Sequence, residues 1–155
     1  MFYLALGSNL GERTLTLRRA IALLQERAGE IVATSTFFET RPVGFSSHNL
    51  FLNAACALRT THSEEEILCI TQQIERDLGR LTKSLAQNYT DRTIDIDLLL
   101  HDDRIISTPK LTLPHPRLHE RRFVLEPLCQ IAPNVCHPLL HKTMRQLLDE
   151  LPSHP

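Results

Sequence analysis

Residues 91–100 read Asp-Arg-Thr-Ile-Asp-Ile-Asp-Leu-Leu-Leu, and the fold turns on them. Ile94, Ile96 and Leu98 alternate with Thr93, Asp95 and Asp97. A period of two is the mark of a strand. Asp95 and Asp97 then leave one face, roughly 6 to 7 Å apart at the backbone. Two ionised carboxylates this close repel each other unless a cation sits between them. Hard oxygen ligands at this spacing suit Mg2+, which binds through one or two carboxylates together with substrate phosphates. The plainer alternative is a half-buried strand with an acidic wet face. Against it, aspartate is a poor strand former, so two in one strand are costly. The run also ends in Leu98-Leu99-Leu100, apolar on both faces, which predicts a central strand rather than a wet edge.

Upstream, residues 2–6 form a short apolar strand and Gly7-Ser8-Asn9-Leu10-Gly11 turns the chain. A phosphate-binding loop is the alternative there, but neither Gly-Lys-Ser/Thr nor Gly-x-Gly-x-x-Gly is present. Leu17, Ala20, Ile21, Leu24 and Ala28 make one helical stripe, and Gly29 is placed to stop that helix. Residues 30–39 are rich in β-branched and aromatic side chains and predict one strand. Residues 40–48 form a loop. Residues 50–59 predict a further strand, with Phe51 and Asn53 on one face. A flat ring beside an amide suits a planar heterocycle; a core Phe with a satisfied Asn is the alternative.

Ser63-Glu64-Glu65-Glu66 is a capping box that starts a helix. Ile67, Ile70, Ile74, Leu78 and Leu81 form its main stripe, Leu68, Gln72 and Glu75 share a second face, and Gly79 is placed to end it. Residues 80–92 make a long polar connection with basic ends. The order strand, helix, strand, strand, helix, strand predicts an α+β, ferredoxin-like β-α-β-β-α-β antiparallel sheet with both helices on one face. A C-terminal hairpin (Ile105 and Ile106 against residues 110–113) and short helices come after it, one opened by Pro127 and one by the capping box Thr143 to Gln146. The tail from Pro152 onward is expected to fray.

The chain has 155 residues, 42% hydrophobic and 23% charged, which suits a single domain over 1–155. A net charge of −1 gives no global pull toward nucleic acid or membrane. No apolar run approaches the roughly 20 residues of a membrane span. The N-terminus lacks a basic leader and reads as a strand, so a cytoplasmic location is expected. Cys56, Cys69, Cys129 and Cys136 have no Cys-x-x-Cys spacing and are expected as buried free thiols. A zinc site on Cys136 with His137 or His141 is the alternative, but tetrahedral ligand spacing is missing. Asp95 and Asp97 together with Arg80, Lys83, Arg92, His115, Arg117 and Arg121 make a parts list for phosphoryl transfer. An RNA-binding ferredoxin-like domain is the competing class; it needs a basic sheet, and here the strand carries carboxylates.

Several segments taken together resemble the 6-hydroxymethyl-7,8-dihydropterin pyrophosphokinase family. They are Leu-Gly-Ser-Asn-Leu-Gly (6–11), Phe-Glu-Thr-Arg-Pro-Val-Gly (38–44), Phe-Leu-Asn-Ala-Ala (51–55), Ile-Glu-Arg-Asp-Leu-Gly-Arg (74–80), Arg-Thr-Ile-Asp-Ile-Asp-Leu-Leu (92–99) and the stretch 113–128 around Pro114-His115, Arg121 and Phe123. The resemblance runs in order from Phe2 to about Leu148.

It implies an Mg2+-dependent enzyme of folate biosynthesis that transfers the diphosphate of ATP to the pterin hydroxymethyl group and releases AMP. It implies that Asp95 and Asp97 bind two Mg2+ ions, and that Arg80, Arg92, His115 and Arg121 act with them in catalysis. ATP would be held by Leu68, Gln72, Glu75, Arg80, Lys83, Arg92, Leu98, Lys110, Leu111, Thr112, His115, Arg117 and Arg121. The pterin would lie between Phe51 and Phe123, with Thr40, Pro42, Val43, Asn53 and Asp95 around its edge. The partners expected are these two small molecules, with no nucleic acid and no membrane, and a monomer is expected. Departures from the family pattern fall at Arg41, Thr82, Tyr89, Asp91 and Pro116; they bear on how loop 81–91 closes.

Overall fold

The structure, a computed structural model, describes residues 1–40, 50–81 and 93–152, and the side chains of all of these except residues 80 and 81. In chain order the elements are β1 (Phe2–Ser8), α1 (Arg13–Arg27), β2 (Glu30–Thr34), β3 (Phe38–Thr40), β4 (Phe51–Arg59), α2 (Glu64–Leu81), β5 (Asp95–His101), β6 (Ile106–Ser107), β7 (Thr112–Leu113), α3 (Arg122–Ile131) and α4 (Met144–Asp149). A 3-10 turn lies at Leu118–Glu120. The strands pair antiparallel in the order β2-β4-β1-β5, and β3 pairs the first residues of β4. This is the expected ferredoxin-like sheet, with β2 and β3 sharing one edge.

The single strand expected over residues 30–39 is broken in two. Ser35 causes the break: its Oγ accepts the Ala55 amide at 2.9 Å while its own amide donates to the Ala55 carbonyl at 2.8 Å. Thr36 then donates its amide to Gln130 Oε1 at 2.6 Å, on α3. Hydroxyl and amide side chains offer the backbone partners outside the ladder, so the chain leaves it there.

Both faces of the sheet are covered. Ile94, Ile96 and Leu98 join Leu4, Leu6, Leu17, Leu24, Ile67 and Ile74 in a core under α1 and α2. Leu99 and Leu100 join Leu118, Leu125, Leu128 and Met144 in a second core under α3 and α4. The expectation that β5 is central is therefore corrected. It is an edge strand, paired within its sheet with β1. Its Leu98-Leu99-Leu100 end is apolar on both faces because helical layers lie above and below it, not because strands flank it. Its outer edge is met locally: Ile96 donates its amide to Glu75 Oε2 at 2.7 Å, and the Leu99 carbonyl accepts the His115 amide at 2.9 Å. At the opposite edge Ile31 donates its amide to Gln25 Oε1 at 2.8 Å. Exposed strand edges invite pairing with other chains, and such caps blunt them.

Local signals set most helix ends. The Ser63 box is formed, with Glu66 N–H on Ser63 Oγ at 3.2 Å and Ser63 N–H on Glu66 Oε1 at 2.9 Å. The Thr143–Gln146 box is formed too. Four expectations are corrected. β1 runs on through Gly7 and Ser8, so the turn begins at Asn9. Gly79 does not end α2, which continues to Leu81. Pro127 lies inside α3 rather than at its start, because burial of Val124, Leu125, Pro127 and Leu128 outweighs the missing N–H. All four cysteines are free, but only Cys56 and Cys129 are buried; Cys69 and Cys136 are exposed, since neighbours in sequence do not decide which way a helical or loop side chain points. Pro152 is tied by Arg122 Nη2 on its carbonyl at 2.6 Å. The readings at Arg41, Pro42, Val43, Thr82, Lys83, Tyr89, Asp91 and Arg92, the side chain of Arg80, and the tail 153–155 lie outside the described residues.

Two glycines test these boundaries. A Cβ at Gly29 would sit 2.3 Å from the Arg59 carbonyl oxygen, at a backbone φ of +158°. Gly29→Ala is expected to lower stability by about 2 kcal/mol or more. A Cβ at Gly79 meets nothing within 4 Å. Gly79→Ala is expected to raise stability by about 0.5–1 kcal/mol, as for any open mid-helix position. Urea midpoints of the two variants read both signs.

Candidate active site

The site starts from a missing side chain. Gly7 on β1 pairs with Asn53 on β4 on one side and with Asp95 on β5 on the other. A Cβ at Gly7 would lie 3.1 Å from Asn53 Oδ1 and 3.8 Å from the Phe51 ring. Glycine thus leaves a shallow floor bordered by Phe51, Asn53 and Asp95. Asn53 is buried, and its Nδ2 donates to Thr40 Oγ1 at 2.6 Å, across the β3–β4 pair. Phe123, at the start of α3, packs against the second core, and the Arg121 guanidinium sits 5.5 Å from its ring centroid. A cation over a ring face is a favourable pairing that holds both groups in place.

A cleft opens beside this floor, along the outer edge of β5. One wall is α2, through Leu68, Gln72 and Glu75. The other is the β6–β7 hairpin and the turn after it, through Thr108, Pro109, Lys110, Leu111, Thr112, His115 and Pro116. Its base is Asp95, Ile96, Asp97 and Leu98, and the cavity is about 360 Å³. A second cavity of about 430 Å³ adjoins it over Gln72, Glu75, Arg76, Ile94 and Asp95. Volumes of this size suit a small organic ligand.

Negative charge is concentrated here. Burial, chiefly, and then the carboxylates of Asp95 and Asp97 push the Glu75 carboxyl up to about 7, against the opposing pull of the Ile96 amide. His115 is held below the usual histidine range, first by burial and then by Arg121 and Arg117, with Asp95 opposing. Its Nδ1 accepts the Arg117 amide at 3.2 Å. The ring is then neutral near pH 7 with its proton on Nε2, a donor for an oxyanion.

Of the residues singled out in the sequence, Leu68, Gln72, Glu75, Asp95, Asp97, Leu98, Lys110, Leu111, Thr112 and His115 come together in the one cleft. Thr40, Phe51 and Asn53 gather at the Gly7 floor. Arg117 instead pairs with Glu120 at 3.4 Å and is exposed. Sequence reasoning missed Ile96, Thr108 and Pro109 in the lining. Thr108 had a signal: its hydroxyl bonds both the amide and the carbonyl of Leu111 at 3.0 Å, the habit of a Thr-Pro turn. Among the described residues, no three His, Cys, Asp or Glu side chains converge to hold a metal. The zinc alternative finds no support either, since His137 Nδ1 accepts the Leu139 and Leu140 amides at 3.2 and 3.1 Å.

Residues 3–133 match the model of the 7,8-dihydro-6-hydroxymethylpterin-pyrophosphokinase family. The chain belongs to that family. The 2-amino-4-hydroxy-6-hydroxymethyldihydropteridine pyrophosphokinase of Porphyromonas gingivalis is 50% identical over 132 residues, 84% of this chain and 90% of that protein. The Bacillus subtilis enzyme of the same name is 45% identical over 134 residues, 86% of this chain and 78% of that one. In fold, the chain is similar to a solved wild-type Plasmodium falciparum HPPK-DHPS, with a TM-score of 0.74 at 17% identity. That likeness covers 96% of this chain but only 44% of the longer one. Family membership makes the chain a pyrophosphokinase of folate biosynthesis acting on 6-hydroxymethyl-7,8-dihydropterin, with ATP as co-substrate.

The Glu75 carboxyl carries a pH prediction. Its folded pKa lies above the ordinary 4.5, near 7. Between those values the folded chain keeps a proton that the unfolded chain has released, so ionised Glu75 destabilises the fold as pH rises across that window. Glu75→Gln, which keeps an acceptor for Ile96, is expected to raise stability at pH 8 by about 1–2 kcal/mol after solvent screening, and to change it little at pH 4. Urea titrations of both proteins at the two pH values, without divalent metal, read the difference.

Proposed function

We propose that Asp95 is the point where two substrates meet, the pterin on the Gly7 floor and ATP in the β5-edge cleft. The observation that carries this is Asp95's double membership: it pairs with Gly7 beside Asn53, and it lines both cavities with Glu75. The pterin takes Phe51 and Phe123 on its faces and Asn53, Thr40 and Asp95 at its edge, and Pro42 and Val43 are kept as pterin-binding residues on the family resemblance alone. The adenosine side of ATP takes Leu68, Gln72, Glu75, Leu98, Lys110, Leu111 and Thr112. Its phosphates take His115 and Arg121, aided by Arg80, Lys83, Arg92 and Arg117.

Asp95 and Asp97 suit Mg2+. They leave one face of one strand into the cleft, and their field adds to the burial that raises Glu75. Two carboxylate side chains would offer such an ion the hard oxygen donors it prefers. When bound, Mg2+ would supply charge neutralisation and alignment of the phosphates, two ions being the expected number. The protein's own groups do the rest. The floor holds the pterin hydroxymethyl oxygen toward the β-phosphorus of ATP, and the neutral His115 ring donates to a phosphate oxygen. Arg121, steadied on Phe123, offsets charge on the departing AMP. The chain works as one monomeric domain over 1–155 in the cytoplasm, with neither nucleic acid nor membrane as partner. A net charge of −1 gives no general pull toward nucleic acid, and among the described residues no helix is long and apolar enough to cross a membrane.

The test is product analysis with variants. ATP and hydroxymethyldihydropterin should yield AMP in an Mg2+-dependent reaction; ADP as the sole nucleotide product would sink the reading. Asp95→Ala and Asp97→Ala should each lower kcat by roughly 100-fold or more while the circular dichroism spectrum is kept. Near-normal turnover in both would remove the carboxylates from the chemistry.

A further inference from the structure

Arg13 opens α1, where a positive charge opposes the helix dipole and the first turn holds no acidic side chain. A residue that breaks a local preference invites a reason elsewhere. Here its guanidinium makes two bonds away from its own helix. Nη1 donates to the Leu50 carbonyl at 2.7 Å, and Nη2 donates to Glu39 Oε2 at 2.9 Å. Leu50 immediately precedes Phe51, and Glu39 immediately precedes Thr40. Thr40 is the ladder partner of Phe51, and its hydroxyl holds Asn53. One planar group therefore ties the end of β3 to the lead-in of β4, at the rim of the Gly7 floor. β3 is only three residues long, so its ladder alone gives it a weak hold.

We propose that Arg13 is a positioning residue for the pterin half of the reaction, acting through Glu39 and the Leu50 carbonyl on Thr40, Phe51 and Asn53. The inference rests on the assignment of the pterin to that floor. The bond to the Leu50 main chain carries most of the effect, since an ion pair with a half-exposed Glu39 counts for little. A lysine has one ammonium and cannot span both partners in a planar fork. The nucleotide cleft is lined by α2, β5 and the hairpin, and Arg13 lies outside it.

The experiment measures KM for pterin and for ATP separately, with thermal midpoints, in Arg13→Gln, Arg13→Lys, Glu39→Gln and Asn53→Ala. Arg13→Gln should raise the pterin KM by roughly tenfold and leave the ATP KM within about twofold. Arg13→Lys should fall between, and Glu39→Gln should stay within about twofold. A pterin KM unchanged in Arg13→Gln, or pterin and ATP KM rising together, overturns the proposal. If Arg13→Gln does not fold, Arg13→Lys decides by the same criterion. Asn53→Ala separates the two levels. An unchanged pterin KM in that variant defeats the pterin assignment itself; a raised one beside a normal Arg13→Gln defeats only the positioning role.

Discussion

The structure depends on a crowding of negative charge along one edge strand. Asp95 and Asp97 leave β5 on the same face, and Glu75 reaches in from α2 to take the Ile96 amide beside them. Burial does most to push the Glu75 carboxyl up to about 7, and repulsion from the carboxylates of Asp95 and Asp97 adds to it. Positive charge from outside the cluster would offset this repulsion, and the metal–nucleotide complex proposed above would bring it. The same carboxylate that faces this cleft borders the glycine floor, so two binding surfaces share one group.

That arrangement requires β5 to be an edge strand and still well buried. The two requirements conflict, because edges are normally wet. Helical layers on both faces solve it: α1 and α2 enclose Ile96 and Leu98, while α3 and α4 enclose Leu99 and Leu100. The outer backbone groups are taken by the two walls of the cleft themselves, Glu75 from one and the His115 amide from the other. The groups that line the cleft are thus also what closes the sheet. Substitutions there touch stability and chemistry together.

The other half of the site is held more lightly. Its rim is a short strand, a buried asparagine and a glycine. Small residues give a flat ligand room, and hydrogen bonds such as Asn53 to Thr40 fix where its edge would meet protein. The guanidinium of Arg13 lies outside this rim and braces both of its ends. A charged cleft thus lies on one side of Asp95 and a mostly neutral floor on the other.

The sequence by itself determined the ferredoxin-like alternation of strands and helices, the helix starts at Ser63 and Thr143, the placing of Asp95 and Asp97 on one face, and the shared face of Leu68, Gln72 and Glu75. These are local matters: capping chemistry and side-chain period act over a few residues. Only the tertiary structure decided that β5 is an edge, that Ser35 breaks a strand against Ala55, that Gly79 stays helical, and that Gly7 is a floor rather than a turn. Each depends on groups far apart in the chain. Burial on two faces reads the same in sequence whether strands or helices cover it, and a glycine does not announce what lies opposite its missing side chain.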